Sequence, residues 1–290
     1  MQTEDYSQVS SHHLGQLYSW ITQVKTVLKE MIRLAKVIEL PFLAASIAYY
    51  AFATLIPFFI VTFIVISAIG GDDLAIQIIT ITQEFLTPTS QELIRNAVTS
   101  TEGRLGVIVG AIFLFVWSVF RLLRGLDIAF SVVYKTKTYL PIIGQITTAI
   151  MLFVALLVAG SGLVGISVLF TILPDVPLLG VMSIVGVLVV LTLVFLPVYY
   201  LLPDIDHSAA EALPGAIIAA FGWVILNTSF GLYAANAGRY ELYGVLGGVL
   251  LLLTWFYIGS MILLVGAVVN AVLYNRSTDT SVQVNQSALN

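Results

Sequence analysis

Residues 142–172 read IIGQITTAIMLFVALLVAGSGLVGISVLFTI, without one charged side chain between Ile142 and Ile172. At a rise of 1.5 Å per residue, a helix of about 20 residues crosses the ~30 Å hydrocarbon core of a bilayer. This stretch is longer than that and apolar on every side, and only lipid solvates such a helix over its whole length. Working outward, five more stretches have the same character: Pro41–Ile69, Leu105–Val133, Leu178–Leu202, Leu213–Ala235 and Tyr243–Tyr274. They are too long and too continuous for barrel strands, which alternate over about ten residues. The sequence therefore predicts an all-α polytopic membrane bundle of six transmembrane helices within residues 41–275.

Composition agrees with that fold class. Of 290 residues, 59% are hydrophobic and 10% charged, against roughly 25% charged in soluble domains. Mean hydropathy is +1.01. A soluble enzyme, a nucleic-acid-binding module and a disordered linker are all excluded. The chain has no cysteine, so it forms no disulfide, no thiolate metal site and no cysteine nucleophile. A net charge of −4 is too small to indicate a polyanionic partner.

The segments outside the spans differ from them and from one another. In residues 1–40, apolar side chains recur at Leu14, Leu17, Ile21, Val24, Leu28, Met31, Ala35 and Ile38, with Lys25, Lys29, Arg33 and Lys36 on the other side. A basic amphipathic helix of this kind lies flat on an anionic membrane surface; packing against the end of the bundle fits the pattern equally well. A long polar lead without a nearby small-residue cleavage site predicts that the first span stays as an uncleaved anchor. Residues 71–104 read as an external helical hairpin. Its first helix covers Leu74–Leu86, Thr87-Pro88 break it, and a capping box at Thr89–Glu92 starts a second helix reaching Thr101. The polar tail, 276–290, is expected to be disordered.

Orientation follows from the excess of Lys and Arg in cytoplasmic loops. Six spans put both termini on one side, with Lys25, Lys29, Arg33, Lys36, Arg121, Arg124, Lys135, Lys137 and Arg276; only Arg95, Arg104 and Arg239 fall on the other. The expected placement is the cell membrane, multi-pass, with both termini cytoplasmic.

Several motifs occur together in a fixed order. They are Ala44-Ala45-Ser46-Ile47-Ala48-Tyr49-Tyr50 with Ile56-Pro57; Tyr200-Leu201-Leu202-Pro203-Asp204; Ala212-Leu213-Pro214-Gly215-Ala216; Tyr243-Gly244-Val245-Leu246-Gly247-Gly248; Thr254-Trp255-Phe256-Tyr257; and Gly266-Ala267-Val268-Val269-Asn270-Ala271. Over roughly residues 40–275 this pattern resembles the YihY/BrkB family of inner-membrane proteins. The resemblance implies six membrane helices and a poorly defined activity; members are linked to virulence, described as permeases, and in some cases labelled tRNA-processing ribonucleases. Two positions depart from the family pattern. Val268 stands where the last motif usually has Glu, and Asp127 stands where the family tends to have Asn. A mechanism that relies on the acid of the last span is therefore in question for this chain.

Ionisable residues inside or beside spans are costly and carry most functional information. Arg121, Arg124 and Asp127 recur every three residues at the end of the second span, and so share one helix stripe. Two accounts fit them: arginines snorkelling to the interface, or guanidinium forks that hold a phosphate or carboxylate. Uncharged polar residues form further stripes: Ser46, Tyr49, Tyr50 and Thr54; Gln145 and Thr148; Asn227 and Thr228. Trp255 and Tyr257 lie deep in the last span, and Asn270 near its end. These sides are expected to face one another, either through interhelical hydrogen bonds or around a polar pathway. The candidate solute-binding set is Arg121, Arg124, Asp127, Tyr49, Tyr50, Asn227, Trp255 and Asn270.

Small residues at Gly106 and Gly110, and from Ala159 to Gly165, suggest close helix packing. At least one of Gly244, Gly247 and Gly248 is expected to touch a neighbouring backbone. Pro57 and Pro197 should kink their helices. No metalloprotease, phosphate-loop or serine-hydrolase motif occurs. His12 and His13 lie in a polar tail. His207, with Asp204, Asp206 and Glu211, reads as a solvated acidic turn more readily than as a cation site. A nuclease needs clustered carboxylates and a basic groove, and the ribonuclease label does not suit this chain. The expectation is a non-enzymatic permease or lipid translocase without metal or cofactor. Its partners would be membrane lipids and an anionic or amphiphilic solute, not nucleic acid. The alternative is a non-transporting structural or envelope-assembly factor.

Overall fold

The structure is a computed structural model that describes residues 22–82, 104–136, 142–172, 179–237 and 244–288. It is all-helical among those residues. A short helix α1 covers residues 22–37. Six long helices follow: α2 (Leu40–Thr82), α3 (Arg104–Tyr134), α4 (Ile142–Ile172), α5 (Leu179–Leu201), α6 (Ala209–Ala237) and α7 (Gly244–Ala288). Membrane-crossing windows lie at Leu40–Thr62, Ile108–Tyr134, Ile184–Leu201, Ala209–Tyr233 and Leu246–Arg276, and α4 coincides with the uncharged stretch 142–172.

Two helices run further than the sequence suggests. Helix α2 does not stop at Ile69; it continues through Gly70-Gly71 to Thr82, absorbing the start of the expected external hairpin. Extending an existing helix avoids a second unfavourable nucleation, which outweighs the roughly 1 kcal/mol that each glycine costs. The remainder of the hairpin, with its capping box, lies outside the described residues. Helix α7 likewise extends to Ala288, through the tail expected to be disordered. That tail contains no Gly or Pro to stop propagation.

The helices pack in the order α4–α5–α6–α7–α2–α3. Helix α7 touches α6, α2 and α3, while α3 and α4 meet only sparsely. Close packing is concentrated where α2 begins and α3 ends. Leu40, Ala44 and Ile47 share one core with Phe130, Val133, Val198, Tyr199, Leu202, Leu264, Ala267, Val268, Ala271 and Val272. Helix α6 contributes Ala212, Ala216, Ala219 and Ala220, all fully buried, and such small side chains let helices approach closely in lipid. Elsewhere, Val109, Phe113, Leu246 and Leu250 are exposed. Helix α1 lies on the packed end, with Val27, Met31, Leu34, Ala35 and Ile38 against the core.

Two non-glycine residues with positive φ mark chain reversals here. Glu39 (φ 51°) joins α1 to α2, and Lys135 (φ 57°) ends α3. At Lys135, Thr136 N–H donates to Ser131 O at 3.0 Å and Lys135 N–H to Val132 O at 3.4 Å, the hydrogen-bond pattern of a Schellman cap. Helix α6 begins with a capping box in which Ser208 N–H donates to Glu211 Oε2 at 2.7 Å.

Candidate functional site

The polar groups of the packed end lie on α3, α5, α6 and α7. On α3, Asp127 is 1% exposed, and Arg124 Nη1 donates to its Oδ2 at 3.2 Å. Further along α3, Ser131 is buried. The Ser131, Tyr134 and Thr136 hydroxyl oxygens are buried without a hydrogen-bond partner among the described residues. The Tyr134 hydroxyl lies beside Asn270.

Asn270 knots α7 to α6. Its Oδ1 accepts from Gly215 N–H at 2.7 Å, and its Nδ2 donates to Ala212 O at 2.9 Å. The backbones must be very close for this. A Cβ on Gly215 would stand 2.6 Å from Gly266 O, and one on Gly266 would stand 2.7 Å from Gly215 O and collide with the Tyr199 hydroxyl. That hydroxyl donates to Leu263 O at 2.7 Å, and its ring packs on Phe130 with centroids 5.8 Å apart. The result is a buried polar crossing without an ionic charge.

The eight candidate residues do not converge on one point. Arg124, Asp127 and Asn270 belong to the packed end. Tyr50 borders α3, where its ring leaves only 3.1 Å to a Cβ placed on Gly125. Tyr49 is 62% exposed. Arg121 is exposed, its guanidinium 5.4 Å from the Trp117 ring centroid, a cation–π contact on the outer surface. Asn227 is exposed and donates to Trp223 O of its own helix. Trp255 sits in a separate aromatic cluster with Trp223 (5.1 Å), Phe230 (6.2 Å) and Phe256 (5.1 Å).

Most of the polar stripes turn inward on their own helices. Ser46, Thr54, Thr148 and Thr228 donate to carbonyls four residues back, so they do not pair across helices as expected. The glycine expectations come out unevenly: a Cβ on Gly162 would meet Val190 at 3.3 Å, and the surroundings of Gly244 and Gly247 lie outside what is described. Nothing lies within 4 Å of a Cβ on Gly248, Gly106, Gly110 or Gly165. The tightest approaches, under 3.0 Å, are at Gly215, Gly222, Gly259 and Gly266. At the acidic turn, the His207 ring nitrogens face Ile205 O (3.0 Å) and Tyr199 O (3.1 Å), while Glu211 caps Ser208. Among the described residues no three His, Asp or Glu gather as a metal site.

Sequence reasoning missed Ser131, Tyr134, Tyr199, Gly215 and Gly266 as members of the site. A signal was present: Gly266 and Asn270 are four apart and therefore share a face, and Pro214-Gly215 interrupts an otherwise regular small-residue helix.

Long apolar helices around buried polar contacts define a polytopic α-helical integral membrane protein. Residues 32–289 match the family model described as virulence factor BrkB, and the chain belongs to that family. It is 35% identical over 88 residues to a ribonuclease-like protein, YfkH, of Bacillus subtilis, covering 30% of this chain and 32% of that one. It is 28% identical over 175 residues to a UPF0761 membrane protein of Janthinobacterium, covering 57% and 39%. A UPF0761 membrane protein of Alteromonas mediterranea is 28% identical over 237 residues, covering 77% and 79%. The match thus spans only 32% and 39% of the first two relatives' own length. No solved structure matches.

Proposed function

We propose that the protein is a permease or amphiphile translocase of the cell membrane, without enzymatic activity, that engages an anionic group at the packed end of the bundle. The observation that carries this is Asp127, a carboxylate 1% exposed within a membrane helix and bound to Arg124, whose side chain is 38% exposed. Ionisable residues inside membrane helices are expensive and typically mark solute pathways. Arg124 reaches both the buried acid and the surface, which suits a guanidinium that takes a phosphate or carboxylate from outside the core. Both termini are assigned to the cytoplasm from the Lys/Arg distribution.

Binding of anionic lipids to purified wild type, Arg124→Lys and Arg124→Ala tests the site. Loss of the planar fork should weaken binding about tenfold even in the Lys variant, where charge is kept. Equal binding by all three proteins refutes the site. Orientation is tested separately in intact cells, where a Cys at position 90 should react with an impermeant maleimide and one at position 277 should not.

One observation favours the second reading, a non-transporting structural factor. Ser46, Thr54, Thr148 and Thr228 bond within their own helices and so offer a solute little. Solute flux in proteoliposomes containing the wild-type protein, above that of empty vesicles, would exclude this reading.

A further inference from the structure

Helix α1 carries two apolar stripes. The first, through Val27, Met31, Leu34 and Ile38, packs on the core. The second, Val24, Leu28 and Ile32, is 45%, 52% and 50% exposed. At about 100° per residue the second stripe lies roughly 90° around the helix from the first. Lys25, Lys29, Arg33 and Lys36, all exposed, form a third stripe about 100° further on. The order around the helix is therefore protein, apolar surface, positive charge.

The ends of α1 fix its level relative to the membrane. Its last turn leads through Glu39 straight into Leu40, the first residue of a membrane-crossing window. At Glu30 it is held by Arg276, the last residue of another such window, through hydrogen bonds of 2.9 and 3.1 Å. Two points about 13 Å apart on one helix axis thus sit where two spans leave the hydrocarbon. The helix runs along the end of the bundle, at headgroup depth. Within residues 22–37 Glu30 is the sole acid, and Arg276 occupies it, leaving the outer face purely cationic.

We propose that α1 is a docking helix for anionic lipid: Val24, Leu28 and Ile32 enter the acyl boundary while Lys25, Lys29, Arg33 and Lys36 bind the phosphates of the adjoining headgroups. Apolar insertion combined with cationic flanks is the physical recipe for an interfacial helix. This holds whether or not the protein transports a solute.

The chain has no native cysteine, so a single Leu28→Cys variant can carry an environment-sensitive fluorophore in the full-length protein. It is placed in nanodiscs of phosphatidylcholine, with and without phosphatidylglycerol. The label should shift to the blue and become accessible to acyl-chain quenchers when phosphatidylglycerol is present. The shift should reverse near 1 M salt, where the screening length falls to about 3 Å. Each Lys→Gln replacement at 25 or 29 should lower the apparent affinity for the anionic surface by up to about fivefold. Identical emission in the two lipid compositions overturns the proposal, and so does a shift that persists at high salt. The lipid comparison needs no further variant, so misfolding of a charge mutant cannot mask the outcome.

Discussion

Replacing Gly266 by Ala is expected to loosen the bundle, although alanine is the better helix former. The added methyl would stand 2.7 Å from Gly215 O, where ordinary contact is 3.4–4 Å, and would collide with the Tyr199 hydroxyl. A backbone oxygen in the facing helix cannot swing away, so α6 and α7 must separate or the Tyr199 ring must leave its bond to Leu263 O. Overpacking of this kind costs about 1–3 kcal/mol, and losing the tyrosine hydrogen bond adds about 0.5–1.5 kcal/mol. The gain in helix propensity offsets about 1 kcal/mol. The net expectation is a loss of about 1–3 kcal/mol, read from unfolding of the purified protein in mixed detergent and dodecyl sulfate. Gly248→Ala is the internal control: nothing lies within 4 Å of its Cβ, so the same substitution should stabilise by up to ~1 kcal/mol. The two variants should move in opposite directions. Equal shifts would mean that α6 and α7 do not cross at Gly215 and Gly266, and the reasoning would fail.

Asn270→Ala removes two buried interhelical hydrogen bonds and should cost about 1–3 kcal/mol in the same assay; an unchanged midpoint would show that the amide is not bonded to α6. Tyr134→Phe deletes a buried hydroxyl that lies beside the Asn270 amide without a well-formed hydrogen bond, so the loss should stay below about 1 kcal/mol, whereas a larger loss would reveal a full hydrogen bond there. Hydrogen bonding from Arg276 holds the Glu30 carboxyl below its ordinary value of 4.5. A carboxylate with a lowered pKa contributes its pairing above the ordinary value and loses it as pH falls through the lowered one. Spin labels on α1 and at the end of α7 should therefore keep a fixed separation at neutral pH and move apart only once the pH falls below the ordinary 4.5; separation between pH 6 and 8 would contradict the clamp.

The spans were legible because lipid leaves a strong trace. The uncharged run 142–172 coincides with α4, and α5 at Leu179–Leu201 differs by one residue at each end from the expected Leu178–Leu202. Helix ends in water were not legible. The polar residues after Tyr274 do not forbid helix, and a span already formed continues into them without a new nucleus. The site was half visible. Asp127 and Asn270 stand out as polar residues in apolar helices, but the partners of Asn270 are the backbone of Ala212 and Gly215, which no side-chain pattern displays. Spacing likewise shows which glycines share a stripe, but not which way that stripe faces. Gly248 and Gly266 lie 18 residues apart, five full turns of α7 and so on one face; they differ in whether a neighbouring helix meets that face at their level.

The ion pair that fastens α1 to the end of α7 joins residues 246 positions apart, and α2 packs about as much against that same last helix as against α3. At roughly 5–20 residues per second of synthesis, Glu30 is made about 12–50 s before Arg276. During that interval Ala44 and Ile47 have the α3, α5 and α6 side of their core but not the α7 side, and the Glu30–Arg276 pair cannot form. Assembly of this protein is consequently completed from its C-terminus. A chain truncated before Arg276 loses the closing contact of its N-terminal helix as well as its own tail.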